Sequence, residues 1–185
     1  MPTECEKMIA GELYDPGDQE LVRLRREAQR LCQRYNQTEP HERITRQKLL
    51  RELLGAGAKT AQIEAPFYCD YGANIRLGKN CFFNVNCVIL DACPVTLGDH
   101  CLLGPGVQLY SATHPLEAEL RRHQQLGKPI TLGNDVWLGG GVIVCPGVTI
   151  GDRAVIGAGS VVTQDIPADV VAAGNPCRVL RAAGT

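Results

Sequence analysis

Three features are scarce in this 185-residue sequence: aromatic side chains, an excess of charge of either sign, and long apolar runs. Aromatic residues make up 5% of the chain, and the net charge is −1, from 19 basic and 20 acidic residues. Because a nucleic-acid-binding domain carries a basic excess, the balanced charge argues against a nucleic-acid partner. No apolar run approaches the roughly 18 residues of a membrane span, so no membrane partner is expected.

The N-terminus has no apolar stretch of the kind that a secretory signal contains. Residues 1–7 are mostly polar and acidic. We therefore expect a cytoplasmic location. The nine cysteines are then expected to stay reduced. The hydrophobic content of 44% excludes a disordered chain.

Charged residues are concentrated in the first third of the chain. Residues 1–60 contain 21 of the 39 charged residues, and Asp18 is a typical N-cap for a helix. Apolar residues then recur at helical spacing at Leu21, Leu24, Ala28, Leu31, Cys32 and Tyr35. A second helix is predicted from near Glu42 to Leu54, with Gly55 ending it. Residues 1–57 are thus expected to form a small helical segment and residues 58–185 a separate domain.

The remainder of the chain repeats every six residues. The repeated aliphatic or aromatic positions are Leu77, Phe83, Ile89, Leu97, Leu103, Leu109, Leu132, Leu138, Val144, Ile150, Ile156 and Val162. A glycine follows most of them, and a small residue usually stands four positions after each. This period is typical of a parallel β-helix, in which each repeat forms one flat side of a coil. We expect the glycine at a tight corner with positive φ and the small residue inside a narrow coil. The predicted fold class is therefore an all-β solenoid.

Four of the nine cysteines occupy the small-residue position of the repeat, namely Cys81, Cys87, Cys93 and Cys101. A free cysteine packs as a small hydrophobic side chain. None of these four forms a CxxC pair, and stacked interior positions cannot converge on one tetrahedral ion. The cysteines therefore predict no metal site.

The repeat is interrupted between Leu109 and Leu132 by a loop at residues 110–131. A solenoid accepts such an insertion on one face, where it usually builds the functional site. The loop contains His114 and His123, and histidine is the side chain best matched to proton transfer near neutral pH. From position alone, a solvated histidine is the alternative.

Four separated motifs carry a resemblance to a known family. They are the hexapeptide repeats, the Thr113-His114-Pro115 loop, the ending Gly174-Asn175-Pro176-Cys177-Arg178 and the opening Lys7-Met8-Ile9-Ala10-Gly11-Glu12-Leu13-Tyr14. Together they resemble the left-handed β-helix acyltransferases, and the opening is similar to that of the maltose and galactoside O-acetyltransferases. The resemblance covers roughly residues 5–181. It implies a left-handed coil, acetyl-CoA as co-substrate, and a homotrimer with active sites between subunits. The polar loop, which we expect not to pack on its own coil, agrees with such a trimer.

The resemblance also implies roles on the acceptor side. His114 matches the family's catalytic base, which takes the proton from a sugar hydroxyl. Contacts with the sugar are implied for Asn84, Asp70, Asp91, Asp15 and Arg25. The family's acidic residue aligns at either Asp91 or its neighbour Ala92, and the spacing around Asp15 and Arg25 is not identical to that of the family.

On the donor side, the resemblance implies coenzyme A contacts by Gly140, Ala158, Thr163, Gln164, Arg178 and Arg181. Two positions depart from the pattern. Gly140 stands where some relatives have serine, so only its backbone N–H would contribute. Gln164 stands where some relatives have lysine, so more of the charge for the nucleotide phosphates falls to the two arginines.

The chemistry of a thioester donor leads to the same mechanism. Because a thioester is already activated, the reaction needs a base, a donor to the developing oxyanion and a groove that aligns both substrates. His114 is the candidate base and the N–H of Gly140 the candidate oxyanion donor. The chain has no GxSxG nucleophile motif, which favours direct transfer in a ternary complex.

The sequence therefore predicts an acetyl-CoA-dependent O-acetyltransferase that acts on a sugar hydroxyl without a metal. One alternative keeps the fold and acetylates another hydroxyl, in an antibiotic or a nodulation-type oligosaccharide. Another is a zinc hydratase of the γ-carbonic-anhydrase type, which would need His100, His114 and His123 to converge between subunits. The last alternative is a non-catalytic scaffold protein. The Thr-His-Pro context of His114 argues against it.

Overall fold

A computed structural model of the chain describes residues 1–184, so that Thr185, the last residue of the expected second domain, lies outside the described residues. The helices within this range are α1 (Glu4–Ala10), α2 (Gln19–Asn36) and α3 (Arg43–Leu54), with 3₁₀ turns at Gly55–Lys59 and Leu120–Arg122. The strands are β1 (Gln62–Ile63), β2 (Phe67–Cys69), β3 (Ile75–Leu77), β4 (Phe82–Phe83), β5 (Cys87–Leu90), β6 (Val95–Leu97), β7 (Leu102–Leu103), β8 (Gln108–Tyr110), β9 (Ala112–Thr113), β10 (Leu126–Gly127), β11 (Ile130–Leu132), β12 (Trp137–Leu138), β13 (Ile143–Val144), β14 (Thr149–Ile150), β15 (Val155–Ile156), β16 (Val161–Val162), β17 (Val170–Gly174) and β18 (Cys177–Ala182).

Both predicted helices are confirmed. Asp18 caps α2 by accepting the backbone N–H groups of Glu20 and Leu21 at 3.0 and 3.2 Å, and α3 ends at Gly55. The helix α1 was not predicted. Its signal was a capping box, in which Thr3 accepts the N–H of Glu6 and the Glu6 side chain accepts the N–H of Thr3.

The strands form the predicted solenoid, a coil of about six turns with three parallel sheets as its faces. The first face has the order β1-β4-β7-β12-β15-β17, the second β2-β5-β8-β13-β16, and the third β14-β11-β6-β3. Consecutive strands of a turn lie on different faces, so the chain passes from the first face to the second, then to the third, and returns one turn further along. Each side of the coil is thus two to five residues of strand followed by a corner.

The repeated aliphatic positions form the interior, as predicted. Apart from the half-buried Leu77, all of them are at most 2% exposed. The four cysteines of the small-residue position are equally buried and carry free thiols. Burial raises the pKa of Cys87 to about 11, which keeps this thiol neutral at physiological pH.

The glycine after the aliphatic residue has a different function from the expected one. At Gly133, φ lies outside the left-handed region, and an added Cβ would lie 2.2 Å from Asp152 Oδ1 in the next turn. The positive φ occurs two positions later, at Asp135, and recurs at the equivalent Asn80, His100 and Arg153. The expectation of a positive-φ glycine was wrong, because it is the close approach of the next turn that excludes a side chain there.

The helical segment covers the open end of the coil. Leu31 and Leu50 belong to the same buried cluster as Ile63 of the first turn. Polar side chains from the helices also satisfy the first turn: Asn36 donates to the carbonyl of Phe67 at 2.9 Å and accepts its N–H at 2.8 Å. At the other end, β18 pairs antiparallel with β17 and ends the first sheet. Within residues 1–184, no helix combines the length and apolarity that a bilayer crossing requires.

The outward side chains differ between faces. On the first face the outward residue of β1 is the polar Gln62, but those of the next four strands are apolar, namely Phe82, Leu102, Trp137 and Val155, with Leu102 and Trp137 about half exposed at 47% and 53%. On the third face they are polar, namely Arg76, Thr96, Thr131 and Thr149. The first face therefore presents an unusual exposed apolar strip.

Substitutions at two adjacent residues of β11 test which side chain points into the coil and which points out of it. Leu132 is 1% exposed, and Leu132→Ala is expected to lower the free energy of unfolding by about 2–5 kcal/mol because it leaves a cavity. The matched control Thr131→Ala, on the exposed side of the same strand, is expected to change it by less than about 0.5 kcal/mol. Urea denaturation measures both, and equal losses would contradict the assigned orientation of the strand.

Candidate active site

The loop at residues 110–131 leaves the coil at the corner between the second and third faces. Its two sides form an antiparallel pair, β9 with β10, and the 3₁₀ turn Leu120–Arg122 lies near its tip. At its base the buried Ser111 donates to the Leu90 carbonyl at 2.8 Å and accepts the N–H of Cys93 at 2.9 Å. The loop is therefore an ordered hairpin that is tied to the neighbouring turn.

The hairpin also pairs with the N-terminal segment. Tyr14 and Gln125 exchange two backbone hydrogen bonds of 3.0 Å each. The loop is therefore also held by the N-terminal segment, through backbone pairs that are independent of how polar the loop is.

His114 directly follows β9 and is exposed. Its Nε2 lies 3.3 Å from Nε2 of Gln125, and Oε1 of Gln125 accepts the hydroxyl proton of Tyr14 at 2.9 Å. With the amide oxygen turned to Tyr14, the amide N–H faces His114. His114 Nε2 is then an acceptor, so in the neutral imidazole the proton resides on Nδ1 and Nε2 is the basic atom.

Tyr14 is almost completely buried, with 1% exposure, in a small cluster with Met8, Leu21, Tyr71 and Ala92. Burial raises the pKa of Tyr14 well above its usual value, so its hydroxyl remains a proton donor. This residue orients the Gln125 amide from inside the protein.

Arg25 and Asp70 lie beside this cluster. The Arg25 guanidinium donates to the Tyr71 hydroxyl at 2.9 Å and to the Pro16 carbonyl at 2.7 Å, and lies 5.8 Å from the centre of the Tyr71 ring. Burial raises the pKa of Asp70, and the nearby Arg25 partly offsets this effect. The structure thus brings two of the predicted acceptor-side residues together with the network that reaches His114.

Asp91 is 0% exposed. One carboxylate oxygen accepts the N–H groups of Asp70 and Tyr71 at 3.1 and 2.9 Å, and the other accepts that of Asn74 at 3.3 Å. Burial raises the pKa of Asp91 to about 7, although these N–H groups favour the charged form. The side chain therefore holds the corner on which Asp70 and Tyr71 lie.

Asp15 is exposed, and its hydrogen bonds are to other residues of the N-terminal segment. Its Oδ1 accepts the N–H of Gly17 at 2.7 Å, and its own N–H donates to Glu4 at 2.6 Å. It stabilises the turn before α2, one residue from Tyr14.

Asn84, Gly140 and Ala158 line a different surface, a cavity of about 590 Å³ on the first face. The apolar side chains of Leu102 and Trp137 line it as well. Each of the three site residues follows a strand of the first face, at its corner with the second. In contrast, Asp70, Asp91 and the loop carrying His114 follow strands of the second face. A single chain thus places the two groups at different corners of the coil.

The remaining predicted donor-side residues lie toward the C-terminal end and are exposed. Thr163 and Gln164 follow β16, whereas Arg178 and Arg181 are on β18. Arg178 donates to the neighbouring Cys177 carbonyl at 2.8 Å. Thr163 and Gln164 share no corner with the Gly140 cavity, whereas Arg178 pairs with Ala173 at the end of β17, next to the turn at Gly157 that lines the cavity.

The zinc alternative also requires His100 and His123. His100 is at a corner between the third and first faces, and His123 follows the 3₁₀ turn of the loop. Among residues 1–184, no three histidine, cysteine or carboxylate side chains are grouped as a metal site requires.

Comparison with protein families gives three matches. The maltose acetyltransferase hexapeptide capping motif matches residues 7–57, the hexapeptide repeat of succinyl-transferase residues 74–111, and the six-repeat bacterial transferase hexapeptide residues 129–164.

Individual relatives match nearly the whole chain. Nodulation protein L of Rhizobium meliloti (strain 1021) is 48% identical, over 96% of this chain and 97% of its own. The crystal structure of a maltose O-acetyltransferase from Clostridium difficile 630 has a TM-score of 0.96 and 46% identity, over 100% of this chain and 99% of the other. A galactoside acetyltransferase, solved in complex with coenzyme A, has a TM-score of 0.89 and 42% identity, over 98% and 91%.

These similarities confirm that the coil is the left-handed parallel β-helix that the motifs implied. The helical cap, the hexapeptide coil and the interrupting loop all lie within the matched length. The chain belongs to the hexapeptide-repeat acetyltransferases of the maltose and galactoside type.

Proposed function

We propose that this protein is an acetyl-CoA-dependent O-acetyltransferase that acetylates a hydroxyl group of a sugar, with His114 as the general base. The observation that carries the proposal is the exposed imidazole of His114, whose Nε2 is oriented by Gln125. Tyr14 links Gln125 to the buried cluster beside which Arg25 and Asp70 lie. The similarity to a coenzyme A-bound galactoside acetyltransferase supports the choice of donor.

In the proposed reaction, Nε2 of His114 takes the proton of the acceptor hydroxyl. Acetyl-CoA supplies an acetyl group that is already activated as a thioester, so that the hydroxyl oxygen bonds to the carbonyl carbon as the C–S bond breaks. The imidazolium of His114 returns its proton to the departing thiolate. No covalent bond to the enzyme is required.

Gly140 is proposed to stabilise the oxyanion that forms during transfer. The N–H groups of its neighbours Gly139 and Gly141 donate to the carbonyls of Ile156 and Pro105. The N–H of Gly140 has no acceptor among residues 1–184, and Gly140 lines the cavity of the first face. Such a donor fits a carbonyl oxygen that becomes negative in the transition state.

The exposed end of the coil is proposed to hold the rest of the coenzyme. Ala158 lines the same cavity as Gly140, and Thr163 and Gln164 lie at the corner one side further along. The exposed guanidinium groups of Arg178 and Arg181 suit the nucleotide phosphates.

On the acceptor side, Arg25 and Asp70 are proposed to contact the sugar, with Asn84 and Asp15 as further contacts. Asp91 contributes indirectly, because its carboxylate holds the backbone of Asp70 in place.

We propose further that the site is shared between copies in a homotrimer. Within one chain, His114 and Gly140 lie at different corners, so a neighbouring copy is needed to bring base and donor together. The exposed apolar strip with Leu102 and Trp137 suits burial against such a neighbour.

A second acceptor class keeps the same chemistry. The chain is 48% identical to nodulation protein L and 46% identical to a maltose O-acetyltransferase, so a hydroxyl of a nodulation-type oligosaccharide is the second candidate beside one of a mono- or disaccharide. A panel of acceptors compared by kcat/KM, with the thiol released from acetyl-CoA as the readout, distinguishes the two.

The role of the base is tested by His114→Ala, which is expected to lower kcat by a factor of about 10²–10⁴ without changing stability. His123→Ala, in the same loop and equally exposed, is the matched control and should retain wild-type activity. If His114→Ala keeps activity within a few-fold of wild type, the assignment of the base is wrong.

The two sides of the site are tested by a KM split. Arg178→Ala and Arg181→Ala are each expected to raise KM for acetyl-CoA about 10-fold or more and to leave the sugar KM unchanged, since each removes a charge-assisted contact. Asn84→Ala is expected to do the opposite. Arg76→Ala, on the polar third face, is the control for a lost surface charge. An effect of both sets on the same substrate would contradict the arrangement.

The shared site is tested by mixing two inactive variants. His114→Ala and Gly140→Pro, which removes the N–H, are each expected to be inactive. Random reassembly of a 1:1 mixture should restore about a quarter of wild-type activity, because that share of the sites in a trimer combines two intact contributions. A mixture of His114→Ala with the double variant must remain inactive. Failure of the first mixture to regain activity, with mixed trimers verified, would exclude a site between copies.

A further inference from the structure

The side-chain amide of Gln125 contacts the atom of His114 to which an acceptor hydroxyl would give its proton. Its amide nitrogen is 3.3 Å from Nε2, the atom that carries the basic lone pair. A hydroxyl that gives its proton to Nε2 must therefore either displace this N–H or lie beside it. The contact is at the long end of the hydrogen-bond range, so an incoming hydroxyl displaces it at little cost.

The amide cannot simply rotate away when it is displaced. Its carbonyl oxygen is held at 2.9 Å by the hydroxyl of Tyr14, and its backbone is paired with that of Tyr14 in both directions. Tyr14 itself is buried, with 1% exposure. Because burial raises the pKa of Tyr14, its phenol remains a donor across the working pH range. The amide N–H therefore stays directed at the space beside Nε2 and needs a new acceptor.

The positions of His114 Nε2 and Gln125 Nε2 determine which kind of acceptor fits the site. One accepts a proton from a hydroxyl, and the other, 3.3 Å away, donates to an oxygen. Two oxygen atoms on adjacent carbons in a gauche arrangement have a similar separation. Such a pair occurs wherever a hydroxyl neighbours a second hydroxyl or the ring oxygen of a sugar, and it is missing from an isolated alcohol.

We propose that Gln125, oriented by Tyr14, is a specificity-determining residue that selects hydroxyl groups with a second oxygen on the adjoining carbon. The reacting hydroxyl donates to Nε2 of His114, and the second oxygen accepts the N–H of Gln125. This inference rests on the proposed function, since it assigns the acceptor class of the same site. A neutral amide also suits this function better than a carboxylate, which cannot donate to an ether oxygen.

The experiment compares an acceptor with its analogue that lacks the second oxygen. The position that wild-type enzyme acetylates on a methyl glucoside is first identified by NMR. The analogue then carries hydrogen in place of the adjoining hydroxyl, or CH₂ in place of the ring oxygen. For wild type, kcat/KM is expected to be about 10- to 100-fold lower for the analogue, because the N–H of Gln125 is left unpaired.

In Gln125→Leu, kcat/KM is expected to fall for both acceptors, because His114 loses the amide that orients it, and to fall about 10- to 100-fold further for the glucoside, which also loses the contact with its second oxygen. The ratio between the two acceptors should then fall to about 2-fold or less, since no donor remains to discriminate them. Gln125→Met provides a second side chain of similar length without a donor, in case the leucine variant misfolds. Tyr14→Phe keeps the amide but frees its orientation, and should reduce the ratio by a smaller amount.

The matched control is Gln124→Leu, one residue away in the same loop, which should keep the wild-type ratio. If Gln125→Leu and Gln125→Met discriminate as strongly as wild type, the inference is overturned and the proposed function stands. If the wild-type enzyme transfers acetyl to none of the hydroxyl acceptors, both are overturned.

Discussion

The close stacking of each turn of backbone on the next is the constraint on which this molecule depends. Equivalent positions of successive turns pair directly, as Leu97 pairs with Leu132 and Leu132 with Ile150. The turns approach so closely that no side chain fits at Gly133. An insertion therefore cannot be accommodated within a side of the coil, only at a corner. The loop with His114 obeys this rule, and the strand after it resumes in register with the turn before it.

A corner loop by itself would be a poor support for a catalytic base, because its connections to the coil are only its two ends. Here the additional support comes from the N-terminal segment. The segment around Tyr14 crosses the loop and pairs with Gln125, and Met8 packs under Tyr14. The N-terminal helices therefore serve both the stability of the coil and the geometry of the acceptor side.

The periodic part of the fold was predictable from sequence, and the tertiary contacts of the site were not. The six-residue period identified the interior correctly because every turn repeats the same packing, as the buried Leu103 and Leu138 show. The periodic pattern predicted a positive φ at Gly133, but glycine is required there because an added side chain would clash with the next turn. His114 was found from its motif. Gln125 was missed, because its partner Tyr14 is 111 residues away and nothing in the glutamine pair at 124–125 marks it. The fixed hydrogen bonds of Asp91 were missed for the same reason.

A parallel coil has two ends at which the next turn could be another molecule. Each end offers unpaired N–H and C=O groups at strand spacing, which is the template for fibre growth. In this protein the first turn is closed by Asn36, whose amide occupies the hydrogen-bonding groups of Phe67 that a further strand would use. At the other end of the coil, the sheet of the first face ends in β18, which runs antiparallel to β17 and carries two exposed arginines. A strand of another coil would therefore meet an edge of the wrong direction and with positive charge. Growth along the axis into filaments is thereby opposed at the second face of the first turn and at the first face of the last turn.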